Sequence, residues 1–149
     1  MQVTVTVLVR LKIPDVSAHT ALHTLRTRLG QGGHAQGDIY TDIEAVIGSN
    51  YSDTLGGTLG DNLIEGADGR DLLEGKDGAD TLRGEAGNDT IRSGDGADVV
   101  DGGDGVDTAD YFGSAQAVDI SLADGTAQGG DAEGDSLTSI ENLVGTDYD

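Results

Sequence analysis

Residues 66–83 read GADGRDLLE GKDGADTLR, and the same nine-residue pattern runs without a break from Gly48 to Asp110. Position 1 of the block is glycine in six of seven copies, with Ser93 as the exception. Position 4 is glycine in six of seven, with Tyr51 as the exception. A fixed period over 63 consecutive residues indicates a repeat architecture, because each short unit must stack on its neighbours to bury its apolar side chain.

Two further positions of the block each carry one kind of side chain. Position 6 is an aspartate or its amide, at Asp53, Asn62, Asp71, Asp80, Asp89, Asp98 and Asp107. Position 8 is aliphatic, at Leu55, Ile64, Leu73, Leu82, Ile91, Val100 and Ala109. We expect positions 1–6 to form a tight turn in which the glycines at positions 1 and 4 take positive φ. Positions 7–9 then form a short strand whose position-8 side chain points inward.

The turns have the chemistry of a calcium site. A tight turn directs its carbonyl oxygens into one small space, and the aspartate that closes it adds an anionic oxygen; Ca²⁺ takes six to eight such oxygen ligands at about 2.3–2.6 Å. The alternative is a metal-free solenoid with solvated acids. Electrostatics weighs against it, because residues 48–110 contain sixteen acidic and four basic residues. Two carboxylates about 5 Å apart on adjacent coils repel by roughly 3 kcal/mol at an effective dielectric constant near 20.

The composition excludes several classes of protein. The chain has 149 residues, 28 acidic against 8 basic groups, a formal net charge of −20, 25 glycines and no cysteine. Disulfide frameworks and thiolate zinc sites are therefore excluded. The net charge opposes binding to nucleic acid or to an anionic membrane, and no apolar run has the length of a membrane span. No nucleophile elbow, P-loop or dinucleotide motif occurs, so we expect no enzyme.

The blocks resemble the RTX, or haemolysin-type, calcium-binding repeats of secreted bacterial proteins. The resemblance implies an all-β, parallel, right-handed β-roll with two nonapeptides per coil, turns stacked at i and i+18, and up to about five Ca²⁺ ions between neighbouring turns. It also implies a set of metal ligands in the turns. These are Asp53, Gly66, Asp68, Gly69, Asp71, Gly75, Asp77, Gly78, Asp80, Gly84, Gly87, Asp89, Asp95, Gly96, Asp98, Gly102, Asp104, Gly105 and Asp107.

The seven turns are not equivalent in sequence. The turns between residues 66 and 107 are expected to bind best, since most of them carry an aspartate at position 3 that adds an oxygen. The first two turns depart from the pattern, with Tyr51 at position 4, Leu59 at position 3 and Asn62 at position 6. We expect these two turns to cap the stack or to bind weakly.

Outside the roll of residues 48–110, the chain divides into three segments. Residues 1–30 are an atypical N-terminal segment, a strand or a cap, and residues 31–47 are a spacer strand leading into the roll. Residues 111–149 are a β spacer followed by the start of a second unit, because QGGDAEGDSLTSIENLVGT from Gln128 matches QGGHAQGDIYTDIEAVIGS at an offset of 97 residues. A fragment, a misassigned start and a divergent cap all fit this pattern.

The functional expectation is a secreted structural module. Like-charge repulsion would keep the calcium-free chain open, and ion binding outside the cell would supply the folding free energy. The resemblance implies type I secretion and a larger parent protein, in which a covalently linked catalytic domain is an expected partner. Spacers of this kind are similar to those of mannuronan epimerase-type modules. The alternative is therefore a calcium-dependent module that binds an extracellular polysaccharide or a surface.

Overall fold

The chain is described by a computed structural model over residues 7–9, 23–25 and 45–148. These residues form short β-strands joined by turns, with a 3-10 turn at Gly130–Ala132. In chain order the strands are β1 Val7–Val9, β2 His23–Leu25, β3 Ala45–Ile47, β4 Thr54–Gly56, β5 Leu63–Glu65, β6 Asp68–Gly69, β7 Leu72–Asp77, β8 Thr81–Arg83, β9 Ala86–Gly87, β10 Thr90–Asp95, β11 Val99–Asp101, β12 Asp104–Gly105, β13 Thr108–Asp110, β14 Asp119–Ser121, β15 Thr126–Gln128, β16 Ser136–Thr138 and β17 Asn142–Val144.

Two main sheets build a solenoid. One has five strands in the order β17-β13-β10-β7-β4, and the other has seven in the order β14-β15-β16-β11-β8-β5-β3. Within the repeats each strand pairs in parallel with the strand two blocks further on, so that Leu55 lies beside Leu73 and Ile64 beside Leu82. Two nonapeptides therefore form one 18-residue coil, and the predicted parallel β-solenoid is confirmed, with about four turns.

The core is built from the position-8 side chains. Six of them are at most 1 % exposed: Ile64, Leu73, Leu82, Ile91, Val100 and Ala109. Leu55, in the first coil, is partly buried against this cluster. Each fully buried aliphatic side chain contributes about 1.5–3 kcal/mol. The core is only one such side chain deep on each sheet, so apolar burial per coil is small.

After the last nonapeptide the chain leaves the 18-residue period but returns to the same two sheets. Strand β16 pairs in parallel with β11, so that Leu137 lies beside Val100, and β17 pairs in parallel with β13, so that Leu143 lies beside Ala109. The sequence separations are 37 and 34 residues. The extra residues, 111–135, form an excursion from the roll. After it, β16 and β17 complete one more coil.

The excursion contains an antiparallel hairpin on the edge of the seven-stranded sheet. Strand β14 pairs with β15, and β15 with β16. Val118 and Ile120 pack against the core, while Leu122 at the turn is 36 % exposed. Leu122 is exposed because the chain turns after Ser121, where strand β14 ends.

The N-terminal part of the chain is described only in part. Strands β1 and β2 pair antiparallel, with Val7 opposite Leu25, and β3 pairs in parallel with β5. The remainder of residues 1–30 and residues 31–44 of the predicted spacer lie outside the described residues, as does the first copy of the 97-residue repeat up to residue 44. In the three described ranges, no helix combines the length and the hydropathy that crossing a membrane requires.

Candidate metal centre

From the third turn onward, the turns on one side of the roll stack so closely that only glycine fits at position 4. Strands β6, β9 and β12 form a three-stranded parallel ladder through these turns. Gly87 and Gly105 have φ of 147° and 148°, and a Cβ on either would collide with the carbonyl oxygen of the position-4 glycine one coil earlier. The position-4 glycines Gly78 and Gly96 on the opposite side are in the same situation. The prediction of positive φ at position 4 is confirmed for five turns.

The reason predicted for glycine at position 1 is wrong. No position-1 glycine of the described turns has positive φ. In the last five turns the residue at position 2 has positive φ instead, including the non-glycine residues Ala67, Lys76 and Glu85 at 76°, 83° and 72°. Position 1 needs glycine for space instead. A Cβ on Gly66 would lie 2.6 Å from Oδ2 of Asp71 and 2.8 Å from the carbonyl oxygen of Gly84. Glycine therefore leaves open a cradle between a carboxylate and a carbonyl.

The same cradle recurs along both sides. Beside Gly84 it is lined by Oδ2 of Asp89 and the carbonyl oxygen of Gly102. Beside Gly75 it is lined by Oδ2 of Asp80 and the carbonyl oxygen of Ser93. Each cradle thus pairs an anionic oxygen of one turn with a main-chain oxygen of the turn one coil further on.

The position-6 carboxylates tie neighbouring coils together through their other oxygen. Each Oδ1 accepts a hydrogen bond from the main-chain N–H of the position-6 residue one coil earlier. The N···O distances are 2.8 Å for Asp53 to Asp71, 2.7 Å for Asn62 to Asp80, 2.8 Å for Asp71 to Asp89, 2.7 Å for Asp80 to Asp98 and 2.8 Å for Asp89 to Asp107. One oxygen of each carboxylate is therefore committed to the fold.

The second oxygen of these carboxylates is buried without a partner. Five aspartates share this property at Oδ2, and their residues are at most 2 % exposed: Asp71, Asp80, Asp89, Asp98 and Asp107. A buried anionic oxygen without a hydrogen bond or a counter-charge is strongly unfavourable. Such oxygens beside carbonyl oxygens are suited to a hard divalent cation.

The pKa values of these five carboxylates are all raised, because burial disfavours the charged form. The pKa of Asp71 is raised to about 6, mainly by burial and then by the negative charges of Asp89 and Asp53, against the lowering effect of the Asp53 N–H. The pKa of Asp98 is raised to about 7, mainly by burial and then by the charges of Asp135 and Asp80, against the lowering effect of hydrogen bonds from the Asp80 N–H and Ser93. Burial raises the pKa of Asp80, Asp89 and Asp107 as well. All five carboxylates are thus poised to take up a proton or a cation.

The first two turns satisfy their position-6 side chain internally. The main-chain N–H of Ser49 and its hydroxyl both donate to Oδ2 of Asp53, at 2.7 and 2.8 Å. The main-chain N–H of Thr58 donates to Oδ1 of Asn62 at 2.5 Å. In addition, the ammonium group of Lys76 donates to the carbonyl oxygen of Gly57 at 2.7 Å. These turns place hydrogen-bond donors where the later turns leave an unpartnered oxygen.

The position-3 aspartates lie at the surface of the turns. Asp68, Asp77, Asp95 and Asp104 are all exposed. Within residues 45–148 and the two N-terminal strands, no three acidic or histidine side chains converge as a metal cluster. The oxygens that the structure brings together in the turns are therefore one carboxylate oxygen and main-chain carbonyls.

The position-6 residues form one column of stacked side chains on each side of the roll. Two acidic residues outside the nonapeptides extend these two columns. Oδ1 of Asp135 accepts from the N–H of Asp98 at 2.9 Å, and Oε2 of Glu141 accepts from the N–H of Asp107 at 2.8 Å. They therefore occupy position 6 of the last coil. Sequence reasoning missed this role, although the signal is present: Asp135-Ser-Leu137 and Glu141-Asn-Leu143 keep the acid-x-aliphatic spacing of positions 6–8.

Comparison with family models gives one family, described as the RTX calcium-binding nonapeptide repeat, in four copies over residues 47–82 and 74–109. Comparisons with curated proteins and with solved structures give no match. The matched residues are those that form the stacked turns and the aliphatic core. Residues 47–109 therefore match the RTX calcium-binding nonapeptide repeat, in agreement with the resemblance found in the sequence.

Proposed function

We propose that this chain is a secreted calcium-binding module whose β-roll folds when Ca²⁺ binds. The observation that carries the proposal is the set of five buried Oδ2 atoms without a partner, each in a turn of the roll. Without a cation, each of them would lose the hydration of an anionic oxygen and gain no contact in return. Calcium supplies the missing partner and offsets the repulsion between stacked carboxylates.

The proposed ligands are those expected from the sequence. The position-6 carboxylates provide the anionic oxygens, the turn glycines provide main-chain carbonyls, and the exposed position-3 aspartates complete the shell from outside. This gives up to about five ions, held by Asp53, Gly66, Asp68, Gly69, Asp71, Gly75, Asp77, Gly78, Asp80, Gly84, Gly87, Asp89, Asp95, Gly96, Asp98, Gly102, Asp104, Gly105 and Asp107. The internal hydrogen bonds of Asp53 favour weaker binding in its turn.

Coupling of folding to calcium follows from the energetics of the roll. Its core is a thin aliphatic column, while residues 48–110 carry sixteen acidic and four basic groups. Binding free energy that is available only in the folded state becomes folding free energy. Extracellular calcium modules typically have dissociation constants of about 10⁻⁴–10⁻³ M. The chain would then be open where calcium is scarce and folded outside the cell. Export by a type I system and attachment to a larger parent protein are proposals that rest on the resemblance of residues 47–109 to RTX repeats.

The test is a calcium titration of the full chain followed by far-ultraviolet circular dichroism. We expect a coil spectrum in EDTA, a cooperative gain of β signal in the millimolar range, and no such gain with Mg²⁺, which binds reluctantly to flexible oxygen cages. Asp89→Asn removes one anionic oxygen from the middle of a column and should raise the calcium midpoint. Thr126→Ser, on the hairpin far from the turns in sequence, is the control. A complete β spectrum in EDTA would overturn the coupling of folding to calcium.

A second candidate is a calcium-bridged contact with an anionic extracellular polysaccharide. An open groove of about 630 Å³ is lined by Glu65, Asp68, Glu85, Asp101 and Asp104, and Oδ1 of Asp101 is buried without a partner. The nearby Arg83 is paired with Glu65 at 3.0 Å. An anionic polymer would therefore need a cation to approach this groove. Co-sedimentation with alginate that requires calcium would support this candidate, and its absence in calcium would exclude alginate as the ligand.

A further inference from the structure

The last carboxylate of the column on the side of Asp80 and Asp98 has a different environment from the others. Like them, Asp135 is buried, at 4 % exposure, and its Oδ1 accepts from the N–H of the position-6 residue one coil earlier. Its Oδ2, however, accepts two hydrogen bonds. The hydroxyl of Tyr111 donates at 2.7 Å and the hydroxyl of Ser93 donates at 2.8 Å. Oδ2 of Asp135 thus has two neutral hydrogen-bond donors, whereas Oδ2 of each of the five other buried aspartates has no hydrogen-bond partner.

Ser93 is the single exception to glycine at position 1 of the repeats. A Cβ at this position enters the cradle that the position-1 glycines leave open, as at Gly66 and Gly84. Ser93 is 2 % exposed and Tyr111 is 3 % exposed, so both hydroxyls are withdrawn from water. The departure from the repeat pattern thus coincides with a carboxylate whose Oδ2 accepts two hydrogen bonds from side-chain hydroxyls.

We propose that Ser93, Tyr111 and Asp135 form a calcium-independent clasp that closes the C-terminal end of this column. Asp135 occupies a ligand position of the column and holds no ion. The clasp joins three segments: Ser93 lies in β10, Tyr111 follows β13, and Asp135 precedes β16. It therefore pins both ends of the 111–135 excursion to the roll and sets the place at which the final coil begins. This inference rests on the proposed function, because it contrasts Asp135 with turns that are proposed to bind Ca²⁺.

Hydrogen bonds to a buried carboxylate also change the tyrosine. Burial raises the pKa of Tyr111, and the hydrogen bond to Asp135 and its negative charge raise it further. This provides a readout that does not depend on calcium. The chain has no tryptophan and four tyrosines, so the absorbance difference between wild type and Tyr111→Phe isolates the ionisation of Tyr111.

The deciding experiment measures bound Ca²⁺ per chain by equilibrium dialysis, and thermal unfolding at saturating Ca²⁺, on the full chain. We expect Tyr111→Phe and Asp135→Asn to keep the ion count of the wild type and to lower the unfolding midpoint by about 5 °C each. Asp89→Asn, the matched change within a column, should lose ions. Ser93→Gly restores the repeat pattern and should also keep the ion count with a lower midpoint, which provides the test if Asp135→Asn does not fold.

Two outcomes would overturn the clasp. Loss of an ion in Tyr111→Phe or Asp135→Asn would make Asp135 a calcium ligand. Ionisation of Tyr111 in the folded protein at the pH of an exposed tyrosine would show that its hydroxyl is not bound to a carboxylate. A wild-type chain that binds no calcium would contradict the proposed function instead, and the tyrosine titration would still decide the clasp.

Discussion

The first two turns and the five that follow differ in how they satisfy the side chain at position 6. In the first two, the N–H of Ser49 or Thr58 at position 2 donates to that side chain. In the later turns position 2 takes positive φ, as at Ala67 and Glu85, and Oδ2 of the aspartate has no partner. The conformation at position 2 therefore distinguishes a turn that satisfies its own position-6 side chain from a turn that leaves a carboxylate oxygen for a cation.

The largest effect should come from adding one methyl group to a stacked turn. Gly87 has φ of 147° and its Cβ would collide with the carbonyl oxygen of Gly69, whereas a Cβ on Gly60 in the second turn would contact nothing within 4 Å. We expect Gly87→Ala to destabilise the calcium-loaded roll by at least about 3 kcal/mol. Gly60→Ala should change it by about 0.5 kcal/mol or less.

Urea unfolding of both glycine variants at saturating calcium measures this contrast. Equal stability losses would mean that the first two turns stack as closely as the later ones. A tolerated Gly87→Ala would mean that the coils can separate without loss of the fold.

The second-largest effect should come from position 6, where Asn62 and Asp80 lie on adjacent coils of the same side. Asp80 has an unpartnered Oδ2, while Asn62 is held by its own turn. We expect Asp80→Ala to raise the calcium midpoint of folding about tenfold, because it removes an anionic ligand and the acceptor of the Asn62 N–H. Asn62→Ala should raise it less than about threefold. Circular dichroism during calcium titration gives both midpoints, and equal midpoints would contradict the division between the two groups of turns.

Proton binding should compete with calcium at the later turns. The folded-state pKa values of Asp71 and Asp98 are raised, to about 6 and about 7, above the ordinary aspartate value of about 3.9. In the calcium-free chain, the folded state therefore binds protons more tightly than the unfolded state. The resulting stabilisation is fully present below about pH 4 and is lost as the pH rises through about 6–7.

Calcium binding should show the opposite pH dependence, because it requires the ionised carboxylates. We expect more β signal in EDTA at pH 4 than at pH 8, and a calcium midpoint that rises as the pH falls from 7 to 5. Circular dichroism at each pH checks both. An EDTA spectrum that is the same at pH 4 and pH 8 would mean that these carboxylates are not buried in the ion-free chain.

The nine-residue period predicted stacked units with position 8 inside, and the resemblance to RTX repeats implied the 18-residue coil that places Leu73 beside Leu55. The reasons for the remaining features lie in contacts between coils. The positive φ at position 2 was not predicted, because Ala67 and Glu85 are residue types that rarely adopt positive φ. Its cause is the stacking of the turns, which no single block contains.

The end of the roll could be predicted less well. Asp135 and Glu141 keep the acid-x-aliphatic spacing, but they stand 37 and 34 residues after the residues with which they pair. The inserted residues break the regular spacing of the repeats, so the nine-residue period did not assign these two acids to position 6. The hydrogen bonds from Tyr111 and Ser93 to Asp135 join residues 24 and 42 positions apart, and only the fold brings them together.

The smallest effect should come from the charges on the strands, which lie outside both groups of turns. Arg92 pairs with Glu74 at 3.1 Å and with Asp110 at 2.8 Å, and Arg83 pairs with Glu65 at 3.0 Å. Both arginine side chains are about half exposed, so each pair contributes about 1 kcal/mol or less and is screened by salt. We expect Arg92→Gln to destabilise the roll slightly more than Arg83→Gln, and neither to change the number of bound ions.

Urea unfolding at low and high sodium chloride, with equilibrium dialysis for calcium, separates the strand charges from the turn charges. The destabilisation by Arg92→Gln should shrink in high salt, since it removes a screened ion pair from three stacked strands. The ion count should stay constant, because no turn oxygen changes its partner. A loss of calcium in Arg92→Gln would mean that the strands and the turns form one electrostatic unit, and that the difference between early and late turns is not set at position 2 alone.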